Sequence, residues 1–213
     1  MNDDPTQKAP LSFSILLRLA GLGFLSGALI GQLVDFAYPL SGSLHYFRPI
    51  WKLESPALEV CWWIPILYGV AGVILVVGYP LLDRRFGQKP IGGFNPSWGF
   101  ILASILYFVA QFYAGPFLSS TGISHIWTFA FTMLTGLLCW WLFDRTKAGV
   151  CMMALTATLG PLIELTMINV LDLYHYTRPD IFGVPLWFLG AYICGCPPNG
   201  NLGRKYLVYL QRK

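Results

Sequence analysis

Apolar residues fall in long runs along this chain, and polar residues gather in short clusters between them. One run ends in Trp140-Trp141-Leu142-Phe143 and gives way to Asp144-Arg145-Thr146-Lys147-Ala148-Gly149. A second closes on Tyr174-His175-Tyr176-Thr177-Arg178-Pro179-Asp180, and a third on Gly200-Asn201-Leu202-Gly203-Arg204. Aromatics and charges confined to the ends of apolar stretches are what a bilayer demands of a spanning chain. The pattern predicts an all-α polytopic membrane protein with six spans: Leu11 to Val34, Val60 to Leu82, Trp98 to Pro116, Ile126 to Phe143, Ala148 to Leu171 and Ile181 to Pro198. Each is close to the roughly 20 residues a helix needs to cross the hydrocarbon core. The expected organisation is a short tail over residues 1–10, a six-helix domain over 11–198 and a basic tail over 199–213.

Details within the runs refine this picture. Asp3 and Asp4 in the leader, the length of the first run and the lack of a small-residue cleavage site make it a retained helix rather than a secretory signal. Pro161, Pro185, Pro197 and Pro198 interrupt or end the last two spans, which membranes tolerate where protein or a cavity satisfies the freed backbone groups. Gly23, Gly27 and Gly31 at four-residue spacing form a close-packing face on the first span.

Composition agrees, since a chain with 55% hydrophobic and only 11% charged residues lacks the polar surface of a soluble globule. Charge sets the expected orientation. With six spans, the side shared by the termini collects Lys8, Arg84, Arg85, Lys89, Arg145, Lys147, Arg204, Lys205, Arg212 and Lys213, whereas the other side has Arg48, Lys52 and Arg178. That bias predicts both termini in the cytosol. It also accounts for the net charge of +4 without nucleic acid as a partner. Cys61, Cys139, Cys151, Cys194 and Cys196 sit in or beside apolar runs and read as small hydrophobes. Cys194-Gly195-Cys196 has no second Cys or His pair nearby, so neither a metal nor another cofactor is expected.

Glu164 stands out as an acidic residue inside a span, about 10 Å below the non-cytosolic edge at 1.5 Å per residue. Intramembrane carboxyls mark functional sites by default. Ala157, Gly160, Pro161 and Ile168 share its helical face. A small-residue face bent by a proline and carrying one polar group suits a lipid or sterol headgroup. The bland alternative is a carboxyl bonded to a neighbouring helix. Trp62-Trp63 and Trp140-Trp141 read as interfacial anchors, and Asp144 as a cap for the fifth helix with Arg145 meeting lipid phosphate.

From Trp62 to Arg204 the residues resemble the Insig (insulin-induced-gene) family of polytopic membrane proteins. The resemblance rests on Trp62-Trp63-Ile64-Pro65, Gly69, Tyr79-Pro80 and Asp83; on Trp140-Trp141, Phe143-Asp144-Arg145 and Gly149; on Tyr174, Tyr176, Thr177, Pro179 and Asp180; on Trp187; and on Gly200-Asn201, Gly203 and Arg204. Their order and spacing together are specific. The resemblance implies six transmembrane helices with cytosolic termini, oxysterol or lipid binding, and retention or adaptor work rather than catalysis.

In animal members the implied partners are Scap and hydroxymethylglutaryl-CoA reductase in the endoplasmic reticulum; prokaryotic relatives form small oligomers around a lipid-filled cavity. Asp144, with Arg145 and Gly149, is then the implied partner surface. The plasma membrane of a prokaryote or an organellar membrane is the alternative location. The alternative function, of another class, is a membrane enzyme of sterol or isoprenoid metabolism with Glu164 as buried acid or base, assisted by Asp172 or His175.

Overall fold

The computed structural model describes residues 11–212; the N-terminal tail of residues 1–10, with Asp3, Asp4 and Lys8, and the last residue, Lys213, lie outside the described residues. Six long helices dominate: α1 (Phe13–Asp35), α3 (Ile64–Phe86), α4 (Trp98–Ser120), α5 (His125–Phe143), α6 (Lys147–Asn169) and α7 (Phe188–Gln211). Between α1 and α3 lie the short α2 (Ala37–Ser41) and the strands β1 (Leu44–Tyr46), β2 (Trp51–Glu54) and β3 (Ala57–Val60); β4 (Tyr174–Tyr176) precedes α7.

Side-chain hydroxyls set several helix starts. The hydroxyls of Ser12, Ser97 and Thr146 accept from the backbone N–H three residues on, supplying an acceptor to donors that α1, α4 and α6 cannot satisfy internally. Pro65 sits in the first turn of α3, where its missing N–H leaves no helical bond unmade. Gly87 ends α3 in the left-handed conformation, φ 63°, and donates to the Asp83 carbonyl at 2.8 Å.

Among the described residues, five helical segments are long and apolar enough to cross a membrane: Phe13–Ser41, Ile64–Phe86, Trp98–Ser120, His125–Phe143 and Lys147–Asn169. The sixth span differs from expectation in both place and character. It starts at Phe188 rather than Ile181, runs through Pro197 and Pro198, and ends at Gln211, so most of the expected tail over 199–213 is helix. Residues 181–187 instead form an irregular segment closed by the Ile181–Val184 bridge. Pro198 cannot donate to the Cys194 carbonyl, and the Cys139 thiol of α5 donates there instead, at 3.5 Å. α7 is less apolar because it packs against α1, α3, α4, α5 and α6 and presents Gly200, Asn201, Gly203 and Arg204 to protein rather than to lipid.

Helix association inside lipid gains little from the hydrophobic effect and relies on close packing. The glycine face of α1 supplies it. A Cβ on Gly23 would lie 2.9 Å from the Gly72 carbonyl oxygen, and one on Gly27 would strike the Tyr68 carbonyl. Gly203 brings α7 equally close to Val76. The opposite side of α1 exposes Leu17, Leu25, Leu29 and Leu33, as a lipid-facing surface should.

Successive helix ends alternate between two poles. At one pole β1 pairs antiparallel with β4, matching Leu44 with Tyr176 and Tyr46 with Tyr174. Thr177 donates to the Gly42 and Ser43 carbonyls there, at 2.7 and 2.9 Å. An aromatic core fills this pole, with the Tyr38 ring stacked on Phe188 and meeting Phe112 and Tyr176 edge-on. At the other pole are the C-terminal ends of α3, α5 and α7 and the start of α6.

Candidate functional site: an apolar cavity and a buried charge node

Glu164 lies on the inner face of α6 and is 6% exposed. Three tyrosine hydroxyls donate to its carboxyl group: Tyr174 and Tyr176 to Oε2 at 2.6 and 3.0 Å, and Tyr192 to Oε1 at 3.1 Å. Strand geometry explains the first two. Residues two apart point to the same side of a strand, so Tyr174 and Tyr176 turn inward while His175 is exposed. Tyr192 reaches in from α7, and Gly160 makes room for it: a Cβ there would collide with the Tyr192 ring.

Beside this group is a cavity of about 170 Å³ bounded by α1, α3, α4, α6 and α7. Gly27 and Gly31 of α1 line it, as do Tyr68 and Gly72 of α3, Phe112 of α4 and Ala191 of α7. Its walls are mainly apolar, with Glu164, Tyr68, Tyr192, Thr156 and Asn199 as the polar groups. Ile74, Leu155, Leu159 and Ile163 line it too and are themselves exposed, so it opens sideways between α3 and α6.

The predicted face of α6 therefore divides. Glu164 and Gly160 reach the cavity, whereas Ala157 packs into the core around Met152 and Ile193, and Ile168 into the aromatic core. Pro161 lies inside α6, half-buried and outside the cavity wall. Gly160 contributes mainly by admitting Tyr192. The carboxyl accepts from tyrosines of β4 and of the neighbouring helix α7, the arrangement of the alternative in which it bonds to a neighbouring helix.

At the opposite pole the motif residues converge on Arg204. Its guanidinium donates to Asp83 through Nε at 2.7 Å and Nη2 at 3.0 Å, to Asp144 through Nη2 at 2.8 Å and to the Asn201 side-chain oxygen at 3.2 Å. Arg204 and both aspartates are buried, and the Tyr79 ring lies 5.0 Å from the guanidinium carbon. Asn201 also donates to the Phe143 carbonyl, tying α7 to the end of α5. Gly149 is required beneath this group because a Cβ would strike the Asp144 carboxylate, and Gly200 because a Cβ would lie 2.7 Å from the Tyr79 ring.

Asp144 consequently does not offer its carboxylate on the surface of the chain. It is 0% exposed, and its two oxygens accept from Thr146, whose hydroxyl in turn caps α6 by accepting from Gly149 N–H at 3.0 Å. Thr146, rather than Asp144, is the cap. Burial raises the Asp144 pKa above its ordinary value, with Arg204 and Thr146 pulling the other way. Arg145 is exposed, with its guanidinium 3.9 Å from the Trp141 ring centre and Nε donating to the Trp141 carbonyl.

The remaining motif residues have varied settings. Trp62 is exposed, but Trp63 stacks on Tyr174 with ring centres 5.7 Å apart. Pro179 is exposed, while Asp180 accepts from Leu186 N–H at 2.8 Å and contacts His125. Trp187 is buried against Gly115, where a Cβ would come within 2.6 Å of its ring.

These motif positions now have company from outside the chain. The family described as Insulin-induced protein (INSIG) matches residues 15–207. The chain belongs to the INSIG family. The Insulin-induced gene 1 protein of Danio rerio is 31% identical over 145 residues, 68% of this chain and 55% of that protein. The Insulin-induced gene 2 protein of Gallus gallus is 28% identical over 149 residues, 70% of this chain and 64% of its own length. This INSIG chain thus aligns with little more than half of those relatives.

Among solved structures, the Insig homologue MvINS of Mycobacterium vanbaalenii superimposes with a TM-score of 0.73 at 17% identity, covering 96% of this chain and 99% of that one. A cross-linked trimer of MvINS matches at a TM-score of 0.67. At that identity the likeness establishes the fold. An INSIG-family fold with five apolar segments of membrane-crossing length is an integral membrane protein.

Several site residues escaped the sequence reading. Tyr68, Tyr192 and Gly72 line the cavity from helices whose hydrophobic pattern does not distinguish them. Asp35 follows the first apolar run and looks like its polar end, yet it is 3% exposed and accepts from Tyr46 at 2.7 Å.

Proposed function

We propose that this INSIG-family chain binds a membrane lipid or sterol in the laterally open cavity and acts as a sensor and retention or adaptor partner of other polytopic membrane proteins. The cavity carries the reading: an apolar slot that opens between two lipid-facing helices and ends on a tyrosine-carboxyl group. Such a shape suits a molecule that enters from the bilayer with its hydrocarbon part against the glycine and phenylalanine walls and its polar end near Glu164 and Tyr192. In an animal-type sterol system the partners would be Scap and hydroxymethylglutaryl-CoA reductase, in the endoplasmic reticulum. A homo-oligomer is a further expectation, given the MvINS trimer.

Geometry favours binding over catalysis. The Glu164 oxygens are held by three tyrosines, while Asp172 and His175, the assistants an enzyme would need, are both exposed. With Asp144 turned inward, partner contact at that pole would fall to its exposed neighbours Arg145 and Trp141.

Mass spectrometry of lipids that copurify with the protein tests the cavity. One lipid or sterol class should be enriched over the membrane it came from, and Gly160→Leu, which pushes Tyr192 into the slot, should abolish the enrichment while the protein still purifies as a folded species. Equal retention by the variant would move the site elsewhere.

The proposed orientation has its own test. Cysteines placed at Ser41 and Thr177 should react with an impermeant reagent from the non-cytosolic side, and those at Gln88 and Lys147 should not. The two pairs occupy opposite poles, since Thr177 bonds to Gly42 and Ser43 whereas Gln88 accepts from Lys147 N–H. Reaction at Gln88 from the outer side would reverse or break the topology.

A further inference from the structure

The loop between α2 and α3 carries an amphipathic antiparallel hairpin. β2 and β3 pair in the register Trp51 with Val60, Lys52 with Glu59, Leu53 with Leu58 and Glu54 with Ala57. Alternation along each strand places Trp51, Leu53, Leu58 and Val60 on one face. Lys52 and Glu59 take the other face and approach to 3.6 Å.

Every residue of β2 is exposed, Trp51 by 49% and Leu53 by 39%, and next to it Ile50 is 66% exposed. The neck of the hairpin is closed by Ile50 N–H donating to the Val60 carbonyl at 2.8 Å, with the Cys61 thiol reaching the Arg48 carbonyl. The apolar face is thus presented by an ordered, hydrogen-bonded element. A two-stranded hairpin of this size is marginal in water by itself, and an apolar face left uncovered marks an interaction surface.

We infer that this hairpin is an interfacial membrane anchor, with its apolar face set at the headgroup–acyl boundary of the bilayer the chain spans. Continuity argues for lipid as the occupant. The hairpin ends at Val60, four residues before α3 enters its membrane-length helix at Ile64, and the intervening Trp62 is itself 64% exposed. Tryptophan favours that boundary because its ring is apolar and its N–H needs water or a headgroup. Chemistry agrees with position: Lys52, its side chain 55% exposed, and exposed Arg48 suit the hydrated headgroup layer, where a cation meets lipid phosphate. A boundary between lipid and water satisfies both faces at once.

Tryptophan fluorescence of the full chain in vesicles of phosphatidylcholine and phosphatidylglycerol tests this, taking the wild type minus Trp51→Phe difference as the Trp51 signal. The difference signal should be shifted to the blue, quenched by lipids brominated high on the acyl chain and protected from iodide present on both sides. A red-shifted signal freely quenched by iodide would overturn the anchor, placing the hairpin in water. A signal reached by neither quencher would also overturn it, because the face would then be covered by protein. As a second measurement, Trp51→Glu combined with Leu53→Glu should leave the sedimentation of the detergent-solubilised protein unchanged; a shift to a smaller species would assign the face to a second copy of the chain.

Discussion

Arg204→Ala is expected to destabilise the bundle by about 3–5 kcal/mol, the usual consequence of removing one partner from a buried ion group. The substitution removes the cation that the buried Asp83 and Asp144 carboxylates share, and it unties α7 from α3 and from the α5–α6 turn. Thermal unfolding in detergent, followed by far-UV circular dichroism, should show a large fall in midpoint. Arg204→Lys should fall between alanine and wild type, since an ammonium keeps the charge but cannot bridge two carboxylates with the same planar fork. Asp144→Ala should be destabilising too, because Asp144 supports both Arg204 and the Thr146 cap. Wild-type stability in Arg204→Ala would show that the node contributes nothing to holding the helices together.

Glu164→Leu is the other substitution with a large expected effect. It leaves the hydroxyls of Tyr174, Tyr176 and Tyr192 with no carboxyl to donate to, at about 1–3 kcal/mol for each that finds no other partner. Glu164→Gln keeps one carbonyl oxygen as acceptor and should cost clearly less. The variants should also separate in lipid retention: Gln holds Tyr192 in place beside the cavity, whereas Leu releases the ring and with it the polar end of the slot. If Leu and Gln unfold at the same temperature and retain the same lipid, the tyrosine-carboxyl group neither stabilises the pole nor shapes the cavity.

The two groups differ in how much of each could be read from residue order. Glu164 is visible as a carboxyl within an apolar run, and Tyr174 and Tyr176 as a pair spaced to face one way. That they meet depends on β1 pairing with β4 across some 130 residues of chain, for which no local pattern gives the register. Tyr192 is less legible still, one aromatic among many on an interior helix. Asp83, Asp144 and Arg204 are each visible beside a family motif at the end of a run, where a charge ordinarily meets water or headgroups. Their burial reverses that meaning, and it follows from packing alone.

The lengths of the apolar runs, with polar clusters between them, determined the class of the protein, since runs near 20 residues match helices that cross lipid, and they located five of the helices to within a few residues. Motif order determined the family. Tertiary structure decided the rest: the true limits of α7, the inward turn of Asp144 and the division of the α6 face between cavity and core. The physical reason is that a helix facing lipid must keep an apolar outer surface that its own residues reveal, whereas a helix enclosed by other helices is freed from that constraint. In α7 the carbonyl freed by Pro198, the Asn201 amide and the Arg204 guanidinium are matched by individual partners on α5, at its end and on α3, all distant in the chain.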